Sequence, residues 1–285
     1  MKISVSSYSF SQYLNDGRLT QLTCIAKAKE LGFDAIEFTD LQPPEGVTEE
    51  EYACQIKAEC DRVGLPVSNY TISADLLNND PKAEVERLKK KVDIAAILGT
   101  KSMRHDAAWG WKGENVRGPQ GLRNIVDRLA DCCREVTEYA ATKGIRTMVE
   151  NHGTFLQDSL RLEQLVAAVD HANFGLLVDM GNFLCADEAP EVAVGHLAPY
   201  AFHAHAKDFL YKPCTARDPG RTWFATRAGA YLRGTVIGHG VVPVEAALRI
   251  LQRAGFDDVV AIEFEGVEPC LEAVQLGREN LQAML

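Results

Sequence analysis

The sequence predicts an α/β chain folded as a (β/α)8 barrel. Short apolar runs alternate with longer segments of helical periodicity, and eight such pairs fit into the 285 residues. Strands that alternate with helices pair in parallel, because the connecting helix returns the chain to the same end of the sheet. An open, doubly wound sheet is the alternative. It would normally place a glycine-rich phosphate turn after the first strand, where this chain reads Ser7-Tyr8-Ser9-Phe10.

The predicted strands are rich in apolar and β-branched residues. They span 2–7, 34–38, 66–70, 100–104, 145–149, 174–178, 200–205 and 258–262. The predicted helices carry recognisable ends, such as the capping-box pair Thr48 and Glu51 and the Asp80-Pro81 start. They span 19–31, 48–63, 81–98, 119–143, 159–170, 190–198, 243–254 and 268–284. No linker interrupts the series, so residues 1–285 are predicted to form one domain.

One long stretch, 208–237, shows neither strand nor helix periodicity. Loops of this length inside a compact domain are usually functional. We expect a substrate lid, a plain surface excursion or an oligomer contact, and its arginines could contact an acidic group on a substrate.

Composition excludes several classes of partner. The formal net charge of -10 weighs against nucleic-acid binding, which relies on Lys and Arg neutralising phosphates. The N-terminal segment lacks the apolar run of a signal peptide, and no segment is apolar enough for a transmembrane span. The eight cysteines form no Cys-x-x-Cys pair, which is typical of free thiols in a reducing compartment. We expect a cytoplasmic protein without a nucleic-acid or membrane partner.

Polar residues gather at the C-terminal ends of the predicted strands, where the active sites of such barrels lie. Predicted strands five to eight end in or near Glu150, Asp179, His205 and Glu263. Each alone could be a helix cap or an ion-pair partner. Together they form a mixed oxygen and nitrogen set that suits Mn2+, Mg2+, Co2+ or Zn2+. Three crowded carboxylates would repel one another strongly without a cation, so a metal ion is physically reasonable.

The segments around these residues resemble those of the xylose-isomerase-like TIM-barrel superfamily of sugar isomerases and epimerases. The matching segments are VENHG (149–153), VDMGN (178–182), HAHAKD (203–208), the glycine turn at 238–240 and AIEFEG (261–266). The resemblance covers essentially the whole chain. It implies that one divalent ion, with Mn2+ the first expectation, is held by Glu150, Asp179, His205 and Glu263. It also implies a small sugar or sugar derivative as substrate and a possible dimer or tetramer.

The resemblance implies a reaction as well. In relatives similar to D-tagatose 3-epimerase, a proton moves beside a carbonyl through an enediolate, and two glutamate ligands act as the acid/base pair. Here these are Glu150 and Glu263. Lys207 is a further candidate acid, base or oxyanion-stabilising group, or else an ion-pair partner.

Two positions depart from the ketose 3-epimerase pattern, because Asn182 and Tyr211 replace a histidine and an arginine. The alternative is a lyase on the same scaffold: a keto-cyclitol dehydratase, or an enzyme that cleaves 3-keto-glycosides or C-glycosides. An endonuclease IV-like DNA repair enzyme is a weaker alternative, since it needs more histidines and a basic face. The last alternative is a metal-free barrel without catalytic activity.

Substrate contacts are predicted from the same strand ends and the loops that follow them. The candidates are His152, His203, His105, Glu37, Trp109 and Trp111. Aromatic faces often line sugar pockets, although two tryptophans in one loop could equally pack on each other. His203 could instead be a satisfied core histidine.

Overall fold

The computed structural model describes residues 1–110 and 119–285, with the backbone alone for 119–121. The strands in the described residues are β1 (Lys2–Ser6), β2 (Ala35–Thr39), β3 (Val67–Ile72), β4 (Ser102–His105), β5 (Arg146–Glu150), β6 (Phe174–Asp179), β7 (Ala201–Ala206), β8 (Asp208–Lys212), β9 (Phe224–Ala225), β10 (Tyr231–Thr235) and β11 (Val259–Ile262). The α-helices are α1 (Ser11–Asn15), α2 (Gln21–Glu30), α3 (Glu49–Val63), α4 (Pro81–Leu98), α5 (Pro119–Thr142), α6 (Ser159–Val169), α7 (Pro190–Leu197), α8 (Val244–Arg253) and α9 (Cys270–Met284). Short 3-10 helices span Ser7–Phe10, Asn182–Ala186 and Ala198–Tyr200.

Eight parallel strands close into a barrel, which confirms the predicted fold class. Their order around the barrel is β1-β11-β7-β6-β5-β4-β3-β2, and helices cover the outside. Both faces of such strands are covered, so their residues are largely buried, as in β6, where all six residues are buried. The core extends from the barrel strands to the apolar faces of the surrounding helices.

Local signals in the sequence set the helix ends as predicted. Thr48 Oγ1 accepts a hydrogen bond from the Glu51 amide at 3.2 Å, and the Glu51 carboxylate accepts one from the Thr48 amide at 2.9 Å. This capping box satisfies two amides that α3 leaves without intrahelical partners. At the other end of α3, Gly64 adopts the left-handed conformation that closes helices.

The stretch 208–237 is not an irregular loop, so that part of the prediction was wrong. Strands β8, β10 and β9 form a three-stranded antiparallel sheet in that order. The turn after β9 is held against the segment that follows β6. The Arg227 amide donates to the Cys185 carbonyl at 2.9 Å, and Thr226 Oγ1 donates to Asp187 at 2.6 Å. The strands are too short for their alternation to stand out in the sequence.

One buried carboxylate fixes the chain where this small sheet returns to α8. Asp208 accepts hydrogen bonds from the amides of Phe209, Gly238, Gly240 and Val242, at 2.8 to 3.0 Å. A Cβ at Gly240 would lie 2.2 Å from Asp208 Oδ1, so this close approach requires glycine. The glycine turn seen in the sequence is therefore an anchor for the loop.

Two remaining expectations concern thiols and membranes. All eight cysteines are free. Among the described residues, no helix combines the length and the apolarity that a bilayer span requires.

Candidate metal centre

The four predicted ligands come together at the C-terminal mouth of the barrel. Glu150 and Asp179 are the last residues of β5 and β6, His205 is the penultimate residue of β7, and Glu263 directly follows β11. The register pairs Asp179 with His205 across neighbouring strands. One ligand atom from each residue lies within 4.8 Å of the other three, and only Glu263 retains some exposure.

The ligand atoms point at a common centre. His205 Nδ1 lies 3.6 Å from Glu150 Oε1, 3.7 Å from Glu263 Oε2 and 3.8 Å from Asp179 Oδ2. A tetrahedral ion with bonds of roughly 2.0–2.2 Å holds its ligands about 3.4 Å apart. His205 Nδ1 and Asp179 Oδ2 are buried and make no hydrogen bond. Since buried polar atoms normally have partners, this donor set fits a divalent cation.

Hydrogen bonds on the far side of Asp179 aim its free oxygen. Its Oδ1 accepts from the amides of Gly181 at 2.8 Å and Asn182 at 3.0 Å, which leaves Oδ2 toward the centre. Asn151 bonds both the amide and the carbonyl of Asp179, at 2.9 and 2.8 Å. Burial raises the pKa of Asp179, and the charges of Glu150 and Glu263 raise it further. This crowding of negative charge favours a cation.

Glu37 lies beneath the centre rather than in the substrate space. Its Oε1 is 2.9 Å from His205 Nε2, and its Oε2 is 3.0 Å from both His203 Nε2 and Asn69 Nδ2. Burial opposes its ionisation, but the two histidines outweigh burial and lower the pKa of Glu37. A carboxylate that accepts the Nε2 proton of His205 leaves the Nδ1 lone pair toward the centre, as in carboxylate–histidine–metal arrangements.

Glu150 is held by an arginine that the sequence reasoning missed. Arg104 donates from Nε to Glu150 Oε2 at 2.6 Å and from Nη2 to the same oxygen, and Asn182 Nδ2 donates to Oε1 at 3.2 Å. Burial opposes the charge of Glu150, but Arg104 and His205 together outweigh burial and hold its pKa well below the usual range. Arg104 also reaches Asp106 at 3.3 Å, and Asp106 bonds His152 Nδ1 at 3.0 Å.

Glu263 is paired with Lys207 instead. Lys207 Nζ lies 2.6 Å from Glu263 Oε2, 3.3 Å from Asp179 Oδ2 and 3.6 Å from Glu265 Oε2. Burial disfavours the ammonium, but these carboxylates outweigh it and raise the pKa of Lys207 well above the ordinary value. Lys207 therefore carries a positive charge at the edge of the ligand set.

Of the predicted substrate contacts, His152 and Trp109 reach open space at the mouth. Trp109 is 54% exposed and packs edge-on against His152, with ring centroids 4.8 Å apart. His105 and His203 are buried and border neither of the two large cavities; His105 Nδ1 lies 2.9 Å from the Asp106 carbonyl. Trp111 lies outside the described residues.

Two cavities open above the ligand set. The larger, of about 810 Å3, reaches Glu263 and extends toward the loops after β2 and β3. The smaller, of about 390 Å3, extends toward β9 and the 3-10 helix after β6. The sequence reasoning missed Tyr8 and Glu265 in these walls. The sequence does contain a signal for Glu265, because this carboxylate lies two residues after Glu263 at the end of the same predicted strand.

The family model described as xylose isomerase-like TIM barrel matches residues 25–284. The chain belongs to this family. No curated protein matches the sequence significantly. Several solved structures share the fold over nearly their whole length.

Three of these structures are a zinc-bound protein and two proteins with a named activity. The IolI protein with a bound zinc atom has 17% identity over 100% of this chain and 98% of that chain, with a TM-score of 0.76. The probable 3-DHS dehydratase AsbF from Bacillus anthracis has 20% identity, 99% coverage of both chains and a TM-score of 0.73. The 3-keto-D-glucoside 4-epimerase YcjR from E. coli has 16% identity, 99% coverage of both chains and a TM-score of 0.73. At these identities the likeness shows the common fold.

Proposed function

We propose that the protein is a divalent-metal-dependent isomerase or epimerase of a small sugar or sugar derivative. Glu150, Asp179, His205 and Glu263 hold the ion in this proposal. The observation that carries it is the buried, unbonded His205 Nδ1, which faces three carboxylate oxygens at 3.6 to 3.8 Å. The named epimerase and dehydratase among the similar structures support a reaction on a small polyhydroxylated molecule.

The reaction is proton transfer beside a carbonyl through an enediolate, with Glu150 and Glu263 as the acid/base pair. A bound cation supplies polarisation of the carbonyl and compensation of the negative charge that develops on its oxygen. Glu263 borders the larger cavity and can meet a substrate carbon there. Burial opposes the charge of Glu263, but Lys207, at 2.6 Å, and His205 outweigh burial and lower its pKa, which keeps that carboxylate ionised.

A lyase is the second candidate, and one contact favours it. Two donors of Arg104 engage Glu150 Oε2, and Glu150 borders neither cavity, so it is poorly placed to act as a second base on the substrate. Elimination needs a single base, Glu263, together with an acid for the leaving group. Lys207 and His152 both border the cavities and are the candidates for that acid.

Two measurements test these proposals. Elemental analysis of the purified chain should find about one divalent ion per chain. Less than half an ion, together with no gain in activity on adding Mn2+, contradicts the metal assignment. Incubation with ketoses and 3-keto-glucosides in D2O should then exchange the hydrogen beside the carbonyl, as followed by NMR. An inverted or isomerised sugar identifies the first reaction, and an unsaturated or cleaved product identifies the second.

A further inference from the structure

Two cavities, rather than one, meet beside the candidate ligand set. Their walls share Trp109, His152, Lys207 and Glu265. Each volume alone falls within the roughly 300–1,000 Å3 that is usual for a small-molecule site. A single sugar ring placed beside Glu263 would lie in the larger cavity and leave the smaller one unfilled. The shape of the site therefore fits a substrate with two parts.

The smaller cavity presents two exposed aromatic side chains. Trp109 is 54% exposed, and Phe224, on β9, is 41% exposed. Phe224 is held edge-on against the buried Phe209, with ring centroids 5.7 Å apart. The hydrogen bonds of Thr226 and Arg227 to the segment after β6 hold this wall of the cavity in position. Exposed aromatic rings held rigidly in a cavity offer flat apolar surfaces, which a second ring can cover.

The lysine and arginine side chains around both cavities are already paired. Among the described residues, every Lys or Arg in the two walls has a carboxylate partner. The ion pairs are Arg87 with Glu84 at 2.9 Å, Arg104 with Glu150 at 2.6 Å, Lys207 with Glu263 at 2.6 Å and Arg227 with Asp158 at 2.9 Å. Away from the proposed ion, a phosphate or carboxylate on the substrate would find no unpaired Lys or Arg among the described residues of these walls and would lie among acidic groups such as Asp75 and Glu265. The substrate that fits is uncharged.

We propose that the substrate is an uncharged two-ring glycoside. Its reacting sugar ring lies in the larger cavity beside Glu263, and its second ring lies in the smaller cavity against Trp109 and Phe224. The second ring is either a sugar or an aromatic group, because both present a flat apolar face. This inference rests on the proposed function for the choice of reacting ring, whereas the two-part site rests on the cavities alone.

Binding measurements separate the contribution of the second ring. Isothermal titration calorimetry on the Mg2+-loaded chain compares methyl β-D-glucopyranoside with phenyl β-D-glucopyranoside and with cellobiose. We expect one two-ring ligand to bind about three- to tenfold more tightly than the methyl glucoside. A preference for the phenyl glucoside identifies an aromatic group, and a preference for cellobiose identifies a second sugar.

Matched variants assign that preference to the smaller cavity. Phe224→Ala should abolish it, and Phe224→Leu should keep part of it. Tyr211→Ala removes an equally exposed aromatic ring from the same small sheet, outside both cavities, and should keep all of it. Equal binding of methyl glucoside, phenyl glucoside and cellobiose by the unmodified chain overturns the inference, and so does a preference that survives in Phe224→Ala.

The charge of the substrate is tested with D-glucose 6-phosphate, which should bind no more tightly than D-glucose. Tighter binding of the phosphate overturns the uncharged assignment. The outcome is independent of turnover: a chain that exchanges the hydrogen beside a carbonyl without any two-ring preference keeps the proposed function and loses this inference. A chain that binds two-ring ligands more tightly but exchanges no hydrogen beside a carbonyl keeps this inference and loses the proposed function.

Discussion

Glu150 and Glu263 lie on opposite flanks of His205, at 3.6 and 3.7 Å from its Nδ1, yet their surroundings differ. Glu150 is held by Arg104 and borders neither cavity, whereas Glu263 borders the larger cavity and pairs with Lys207. Both cations lower the pKa of the glutamate that they contact, so the difference between the two glutamates is their access to the cavity. The comparison indicates that Glu150 mainly holds the ion and Glu263 mainly meets the substrate.

The largest effect is expected from neutralising each glutamate in turn. Glu263→Gln removes the base at the cavity, so kcat should fall about 10^2- to 10^4-fold while most metal binding is retained. Glu150→Gln removes the carboxylate that lies between Arg104 and the ion and leaves Arg104 with Asp106 alone, so it should lower metal affinity more than Glu263→Gln does. Turnover and elemental analysis of both variants check this.

The exposed Glu272→Gln on α9 is the matched control and should change neither quantity. If Glu263→Gln loses its metal while Glu150→Gln keeps it and loses only turnover, the two roles are reversed.

Arg104→Met tests the Glu150 flank through stability. It leaves Glu150 and Asp106 buried without their shared cation, and breaking a buried ion pair costs about 3–5 kcal/mol. Urea unfolding of the chelator-treated chain should show this loss. Arg249→Met, which removes an exposed pair with Glu245, should cost less than about 1 kcal/mol. If both variants lose the same free energy of unfolding, the pairing of Arg104 with Glu150 does not stabilise the fold.

The two flanks also differ in how far the sequence predicts them. The ligands were found because each closes a buried parallel strand, and such strands are recognisable as apolar runs with a polar end. Arg104 lies within a short strand, and nothing in its neighbours says that it points at a carboxylate 46 residues later. Glu37 was found but given a substrate contact, because its bonds to two histidines of β7 depend on closure of the barrel.

The small sheet of β8, β9 and β10 was missed for a related reason. Its strands are two to five residues long, so period-two alternation is too brief to recognise. Its position over the smaller cavity depends on contacts of Thr226 and Arg227 with the segment after β6. Long-range pairing of this kind leaves little trace in local sequence.

Glu37→Gln tests the carboxylate that orients His205, the ligand that lies between Glu150 and Glu263. The amide cannot hold the Nε2 proton of His205 as a carboxylate does, so the imidazole loses its fixed orientation. Metal affinity should fall about 10- to 100-fold, as is usual when such a partner is removed. Competition with a chelating indicator measures this, and the exposed Glu45→Gln serves as control. An unchanged affinity with a native thermal transition would assign Glu37 to packing alone.

The smallest effect is a dependence of metal affinity on pH. Burial disfavours the imidazolium of His205, but Glu37 and Glu263 outweigh burial and raise its pKa well above 6.5 in the metal-free chain. Because the pKa is raised, the proton on His205 stabilises the metal-free fold below pH 6.5, and this stabilisation is lost as the pH rises through the raised pKa. A cation needs the neutral imidazole as its ligand. Between pH 6.5 and the raised pKa of His205, metal binding therefore releases a proton, and metal affinity should rise by up to about tenfold per pH unit. Glu37→Gln lowers that pKa and should flatten the slope near neutrality, whereas a slope unchanged by the substitution would show that the proton comes from another group.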